Sequence, residues 1–255
     1  FDPITLEEHW NSEYMKDIRK RMLAGEKLSQ CDVCNNQVLN LHTYKNYFTN
    51  TLFPHKVKDI IESTREDGYT TMQPISFDYR ISNLCNFKCR MCGEQLSSAW
   101  EAEKKKHDLW SPEHQPFMIP EVKKKMNNFQ KHVAEPEFKQ AISDGIVEEI
   151  YWVGGEPLMY DMHWWALEEM VRNGSSKNCY LRYNSNLSRV TYNGKNLFDY
   201  LPHFKDWLMC ASIDGTGEIV EFVRKGIKWD QWLDNFKQGL YSPGGDTRML
   251  FDLTI

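Results

Sequence analysis

An α/β fold is what the sequence predicts: a partial (β/α)6 TIM-like barrel over residues 74–255, C-terminally incomplete, behind an N-terminal helical extension over residues 1–73. Three observations carry this reading. From Pro74 onward, short apolar runs alternate with amphipathic stretches, the rhythm of βα units around a parallel sheet. Five of those runs have strand length and strand composition. Residues 1–73 lack that rhythm and are mixed and polar.

Taken in order, strands are expected at Ile75–Ser82, Val147–Val153, Cys179–Asn184, Trp207–Ile213 and Met249–Ile255. Helices are expected near Gln95–Lys106, Glu137–Ser143, Met162–Arg172, Leu197–Tyr200 and Asp230–Leu240, with one more from Leu6 to about Leu23 in the extension. The polar, Pro-containing stretch His107–Pro136 reads as an insertion. In such barrels reactive groups gather at the C-terminal ends of the strands. Each functional motif should therefore fall just after a strand.

The 255 residues are 41% hydrophobic and 26% charged, ordinary for a soluble globular protein. A net charge of −5 speaks against a general nucleic-acid binder, which needs surplus Lys and Arg. The runs Lys104–Lys106 and Lys123–Lys125 read as solvated helix faces. No apolar run approaches the roughly 20 residues that span a bilayer, and no signal-peptide pattern opens the chain. A cytoplasmic setting is the expectation. Starting at Phe1 and stopping in an apolar run at Ile255, the chain reads as a fragment.

Five of the seven cysteines form two tight clusters, which in a reducing compartment read as metal ligands rather than disulfides. Cys179 and Cys210 lie in strand-like segments and read as small buried residues. The triad Cys85-Asn-Phe-Lys-Cys89-Arg-Met-Cys92 follows the first strand with C-x3-C-x2-C spacing. A [4Fe–4S] cluster normally takes four thiolates, one per iron, so three would leave one iron open. The alternative is zinc held by the same cysteines plus Cys31 or Cys34, in a non-catalytic protein.

The triad resembles the signature of the radical S-adenosylmethionine superfamily, with Met91 where an aromatic residue is usual. That resemblance implies a [4Fe–4S] cluster on Cys85, Cys89 and Cys92, with S-adenosylmethionine chelated at the open iron. It implies reductive cleavage to a 5′-deoxyadenosyl radical, which abstracts hydrogen from a substrate. An electron donor such as flavodoxin or ferredoxin goes with that chemistry.

Later motifs fit the same order. Gly154-Gly155-Glu156 follows the second strand; paired glycines let the backbone approach a ligand closely, and a carboxylate suits a protonated amine. The resemblance assigns it the amino group of S-adenosylmethionine. Ser185 and Asn186 follow the third strand and suit ribose hydroxyls or a carboxylate, or simply a turn. Ser212-Ile213-Asp214-Gly215 follows the fourth, with Arg224 beyond it, and resembles the Ser-x-Asp-Gly motif of the SPASM and twitch branch. Ser212 and Asp214 would then lie by the ribose and Arg224 by the carboxylate, unless Arg224 is a structural partner of Asp214 or Glu221. Peptide modification is common in that branch. A peptide substrate is the first expectation, and a small molecule the second.

Cys31-Asp-Val-Cys34 is a pair that cannot close a tetrahedral site alone. It loosely resembles the leader region of twitch-type members, with Gln37 and Tyr44-Lys45 where an acid and a Ser-Arg pair would stand. An auxiliary iron–sulfur cluster, a zinc site and a redox pair are the readings it allows.

Overall fold

Successive side chains on a strand point to opposite faces, so burial along a strand shows which face meets the core. The computed structural model describes residues 3–32, 44–111 and 115–253. It divides into two compact units, Phe1–Gln73 and Pro74–Ile255. In the second unit five strands form one parallel sheet in chain order: β1 (Ser76–Tyr79), β2 (Glu149–Trp152), β3 (Tyr180–Ser185), β4 (Asp206–Ser212) and β5 (Met249–Asp252). Register places Tyr79 opposite Trp152, Trp152 opposite Tyr183, and Tyr183 opposite Met209. All four aromatic or thioether side chains are buried.

One face of the sheet is the core. Ile150, Trp152, Leu181, Tyr183, Trp207, Met209 and Ala211 alternate along β2, β3 and β4 and are buried. Helix Asp161–Asn173 buries Met162, Ala166, Leu167 and Met170 on one stripe and ends at Gly174, whose φ of 82° suits the left-handed cap. Helix Trp229–Leu240 buries Trp232, Asn235, Phe236 and Gly239, spaced i, i+3, i+4 and i+7.

The opposite face is polar. Parallel sheets are ordinarily apolar on both faces, yet here Arg182 pairs with the buried Glu149 at 2.5 Å. Tyr151 donates its hydroxyl hydrogen to Asn184 Oδ1 at 2.7 Å, and Asn184 Nδ2 donates to Asp252 at 2.6 Å. These bonds fix the half-buried polar residues across β2, β3 and β5.

Elsewhere the structure departs from expectation. The stretch His107–Pro136 is not simply an insertion: it carries helix Pro120–Phe129, which runs through a π turn at Gln130–Ala134 into helix Glu135–Ser143. Pro120 starts the first helix, where its missing N–H costs nothing. Pro136 lacks the donor that an uninterrupted helix would need, and the π turn precedes it. The expected helix from Leu6 to Leu23 is two, Leu6–Trp10 and Glu13–Leu23, because Ser12 caps the second through Met15 N. A helix at Gly217–Val223 was not foreseen. No helix among the described residues is long and apolar enough to cross a membrane.

Removing the buried Glu149 carboxylate breaks its ion pair with the half-buried Arg182. Glu149→Ala should lower the unfolding free energy by about 3 kcal/mol in urea denaturation, and a loss near zero would show that the pair does not brace the sheet.

Candidate cofactor site at the strand ends

The chain leaves β1 at Tyr79 and runs toward Cys85 alongside the chain leaving β2. A backbone ladder joins them: Val153 N to Tyr79 O at 3.3 Å, Gly155 N to Ser82 O at 3.1 Å, and Glu156 N to Leu84 O at 2.7 Å. Only glycine permits this. A Cβ on Gly155 would lie 2.3 Å from Leu84 O, and one on Gly154, at φ +114°, would lie 3.2 Å from Arg80 Cα. The Tyr160 hydroxyl donates to Ser82 O at 2.9 Å and accepts from Gly155 N at 3.0 Å. The two glycines thus admit the chain's own approach to the cysteines.

Glu156 is fully buried. Its carboxylate accepts from Leu158 N at 3.1 Å, Ser185 Oγ at 2.7 Å and Asn186 N at 2.6 Å, tying the β2 exit to the end of β3. Burial raises its pKa to about 7, against the opposing pull of those donors. An ammonium would have to compete with all three. Ser185 and Asn186 serve the same junction: Ser185 Oγ also accepts from Leu187 N at 2.9 Å, and Asn186 Nδ2 lies 3.1 Å from Asn86 Oδ1 and 3.7 Å from Cys85 Sγ.

The cysteine loop is gripped from two further sides. Ser97 and Ser98 open helix Ser98–Lys106. Ser98 Oγ accepts from Cys85 N and donates to Cys85 O, both at 3.2 Å, while Ser97 Oγ donates to Phe87 O at 2.6 Å. Trp100 Nε1 donates to Cys89 O at 2.8 Å. From beyond β4, Arg224–Lys225 pairs antiparallel with Lys88–Cys89, placing Arg224 opposite Cys89, and Arg90 N donates to Val223 O at 2.9 Å. Gly226, at φ +119°, lets that segment pass within reach of the buried Phe87 ring, which a Cβ would meet at 2.7 Å.

Arg224 pairs with Asp214 through Nε at 2.6 Å, the structural alternative raised by the sequence. The pair brings the Ser-x-Asp-Gly turn against the cysteine loop. The hydrogen bond between Cys89 and Cys92 holds Cys92 below the usual thiol range and, with burial, pushes Cys89 well above it, while the Arg224 charge pulls both down. Burial pushes Cys85 up to about 11. Ser212 is half-buried on the polar face, and its hydroxyl makes no hydrogen bond among the described residues. Cys31 sits in the turn Ser29–Cys31; Cys34 lies outside the described residues.

Residues 79–238, more than half of the chain, match the Radical SAM superfamily. The chain belongs to the radical SAM superfamily. No curated protein matches the sequence. Solved structures similar to the chain include Streptococcus suis SuiB bound to S-adenosylmethionine (14% identity, TM-score 0.43) and SuiB bound to the precursor peptide SuiA (14% identity, TM-score 0.41). Each alignment covers 88% of this chain, which spans 43% of the SuiB chain.

The superfamily implies a [4Fe–4S] cluster and S-adenosylmethionine, and the donor set fits the cluster. Three thiols share one eight-residue loop, a cation lies beside two of them, and Cys179 stands at the far end of β3. Among the described residues no group of three His, Cys, Asp or Glu side chains surrounds one point. A cubane takes its thiolates at separate irons. Sequence reasoning found the cysteines and the motifs but missed Ser97, Ser98, Trp100 and Tyr160, which hold the loop. The Ser-Ser pair ahead of a helical run was a legible capping signal.

Glu156 gives this site a pH signature. Its folded pKa lies above its ordinary value of 4.5. The stability it contributes is therefore complete below pH 4.5 and is lost as pH rises through about 7. Glu156→Gln, which cannot titrate, should flatten that part of the stability profile in urea melts of the cluster-free protein, and an unchanged slope would contradict the assignment.

Proposed function

We propose that the whole protein reductively cleaves S-adenosylmethionine at a [4Fe–4S] cluster held by Cys85, Cys89 and Cys92, then abstracts hydrogen from a substrate. The observation that carries it is the three-cysteine loop, clamped by the exits of β2, β3 and β4 in a chain of this superfamily. When bound, the cluster supplies the electron that breaks the sulfonium and frees the 5′-deoxyadenosyl radical.

The chain's own residues do the placing. Arg224 spends Nε on Asp214, so the terminal nitrogens of its fork are the proposed partners of the methionine carboxylate. The carbonyls of Gly154 and Gly155, which accept no hydrogen bond among the described residues, are proposed acceptors for the amino group. Glu156 is the acid that holds these elements together. Ser185 and Asn186 keep the β3 exit against Cys85, and Ser212 offers its free hydroxyl to the ribose. Met91, 41% exposed beside Cys92, offers apolar, polarizable surface to the adenine.

The Ser212-x-Asp214-Gly215 motif with Arg224 supports placement in the SPASM and twitch branch, and with it a peptide as the first substrate class. We read the five strands as five of a (β/α)6 barrel in residues 74–255, with residues 1–73 a separate extension. Cys31 and Cys34 are proposed ligands of an auxiliary cluster or zinc, and a cytoplasmic flavodoxin or ferredoxin the electron source.

Anaerobic reconstitution of the full-length protein with iron and sulfide, followed by dithionite, should convert S-adenosylmethionine to 5′-deoxyadenosine. Cys89→Ala should abolish product and Cys179→Ala should not. An intact iron–sulfur chromophore that yields no 5′-deoxyadenosine, or stoichiometric zinc without the brown absorbance of iron and sulfide after anaerobic purification, would refute the proposal.

A further inference from the structure

Asn186 stands just past β3 with 7% of its surface exposed, and both polar atoms of its side chain are engaged. Its Oδ1 accepts from Ser188 N at 2.9 Å, which settles the orientation of the amide. Nδ2 therefore faces the cysteine loop. One of its hydrogens goes to Asn86 Oδ1 at 3.1 Å and the other to Cys85 Sγ at 3.7 Å, a length that reflects the larger radius of sulfur. The backbone is held as well, because Asn186 N donates to Glu156 at 2.6 Å. Asn86 is fixed in turn by its own amide, which donates to Ser188 Oγ at 3.0 Å. With both hydrogens committed, the Asn186 side chain has no donor left for a ribose.

This contact sets Cys85 apart from the other two thiols of the loop. Its sulfur also accepts from Phe87 N at 3.4 Å, so two N–H groups converge on it. Cys89 and Cys92 take no N–H donor on sulfur among the described residues, and the Arg224 charge is the positive group near them. Hydrogen bonds to the sulfurs are among the factors that set an iron–sulfur potential. An added electron puts more negative charge on the thiolates, and an N–H aimed at one of them favours that state. Burial strengthens the effect, because little water competes for the sulfur.

We infer that the Asn186 amide donates to the Cys85 thiolate of the bound cluster and makes that cluster easier to reduce. The inference rests on the proposed cluster at Cys85, Cys89 and Cys92, and it adds a residue that adjusts the cluster's potential. Asn186 acts through Cys85, as a positioning residue with an electronic effect. The proposed cleavage starts from the reduced cluster, so ease of reduction bears on it directly. Outer partners of this kind orient a ligand and tune the metal it holds.

Redox titrations followed by electron paramagnetic resonance test it, on the anaerobically reconstituted full-length protein without S-adenosylmethionine. Asn186→Leu keeps the volume and removes the donor. Reduction should weaken about tenfold, a midpoint about 59 mV more negative for a one-electron couple. Asn186→Asp keeps an oxygen to accept from Ser188 N and puts negative charge beside the thiolate, so its midpoint should fall at least as far. A purely structural role would leave the aspartate variant at the wild-type potential. Wild-type protein labelled with nitrogen-15 at the asparagine side-chain amides supplies a second readout. Its reduced cluster should show a weak nitrogen coupling in pulsed spectra, lost in Asn186→Leu. If neither variant holds a cluster, the wild-type coupling decides. A loaded aspartate variant at the wild-type potential, or no coupling in the wild type, would overturn this inference alone. Zinc in place of any iron–sulfur chromophore would overturn the cluster reading, and this inference with it.

Discussion

The geometry at the strand ends depends on the backbone ladder between Arg80–Leu84 and Val153–Glu156. The cysteine loop has almost no secondary structure of its own: two residues, Lys88 and Cys89, are in strand pairing. Its position is set by what it leans on. Extending the β1–β2 pairing past the strands delivers Cys85 to a fixed place, and the close approach is open only to the glycines at 154 and 155. Glu156 then locks that ladder to β3 through three hydrogen bonds made in full burial. A carboxylate so placed is expensive to desolvate and is retained because leaving its donors unpaired would cost more.

The rest of the fold supports this by being stiff on one side and polar on the other. Aromatic and aliphatic side chains fix the helix-covered face, with Trp152 and Tyr183 fully buried. The other face holds Glu149, Arg182, Tyr151, Asn184 and Asp252 in bonded pairs. A sheet with such a face is not packed as an ordinary two-sided core. It presents hydrogen-bonding groups on the same strands whose exits carry the cysteine loop and its clamps. Arg224 joins the two functions, facing Asp214 on one side and Cys89 on the other.

Much of this was legible in the sequence. Every expected strand overlaps an observed one, because short apolar runs between amphipathic stretches leave few alternatives. The helix at Pro120–Phe129 was hidden by its own polarity: with Lys123–Lys125 and a proline at its start, it looks like a loop. The motifs also stood where a barrel would put them, but the roles of individual atoms did not follow from residue type. Glycines beside an acid suggested a ligand cradle; the structure adds that the same glycines admit neighbouring backbone and that the acid receives the neighbouring turn. Spacing shows which residues share a strand end. It does not show which of them are spent on holding that end together.

In the proposed reaction, three thiolates on one clamped loop leave a single iron for the amino acid head group of S-adenosylmethionine. Electron–nuclear double resonance on the reduced, reconstituted full-length protein tests it directly, using S-adenosylmethionine labelled with nitrogen-15 at the amino group. A nitrogen coupling to the cluster is expected, and only when the labelled molecule is added. An intact cluster that shows no such coupling would contradict it.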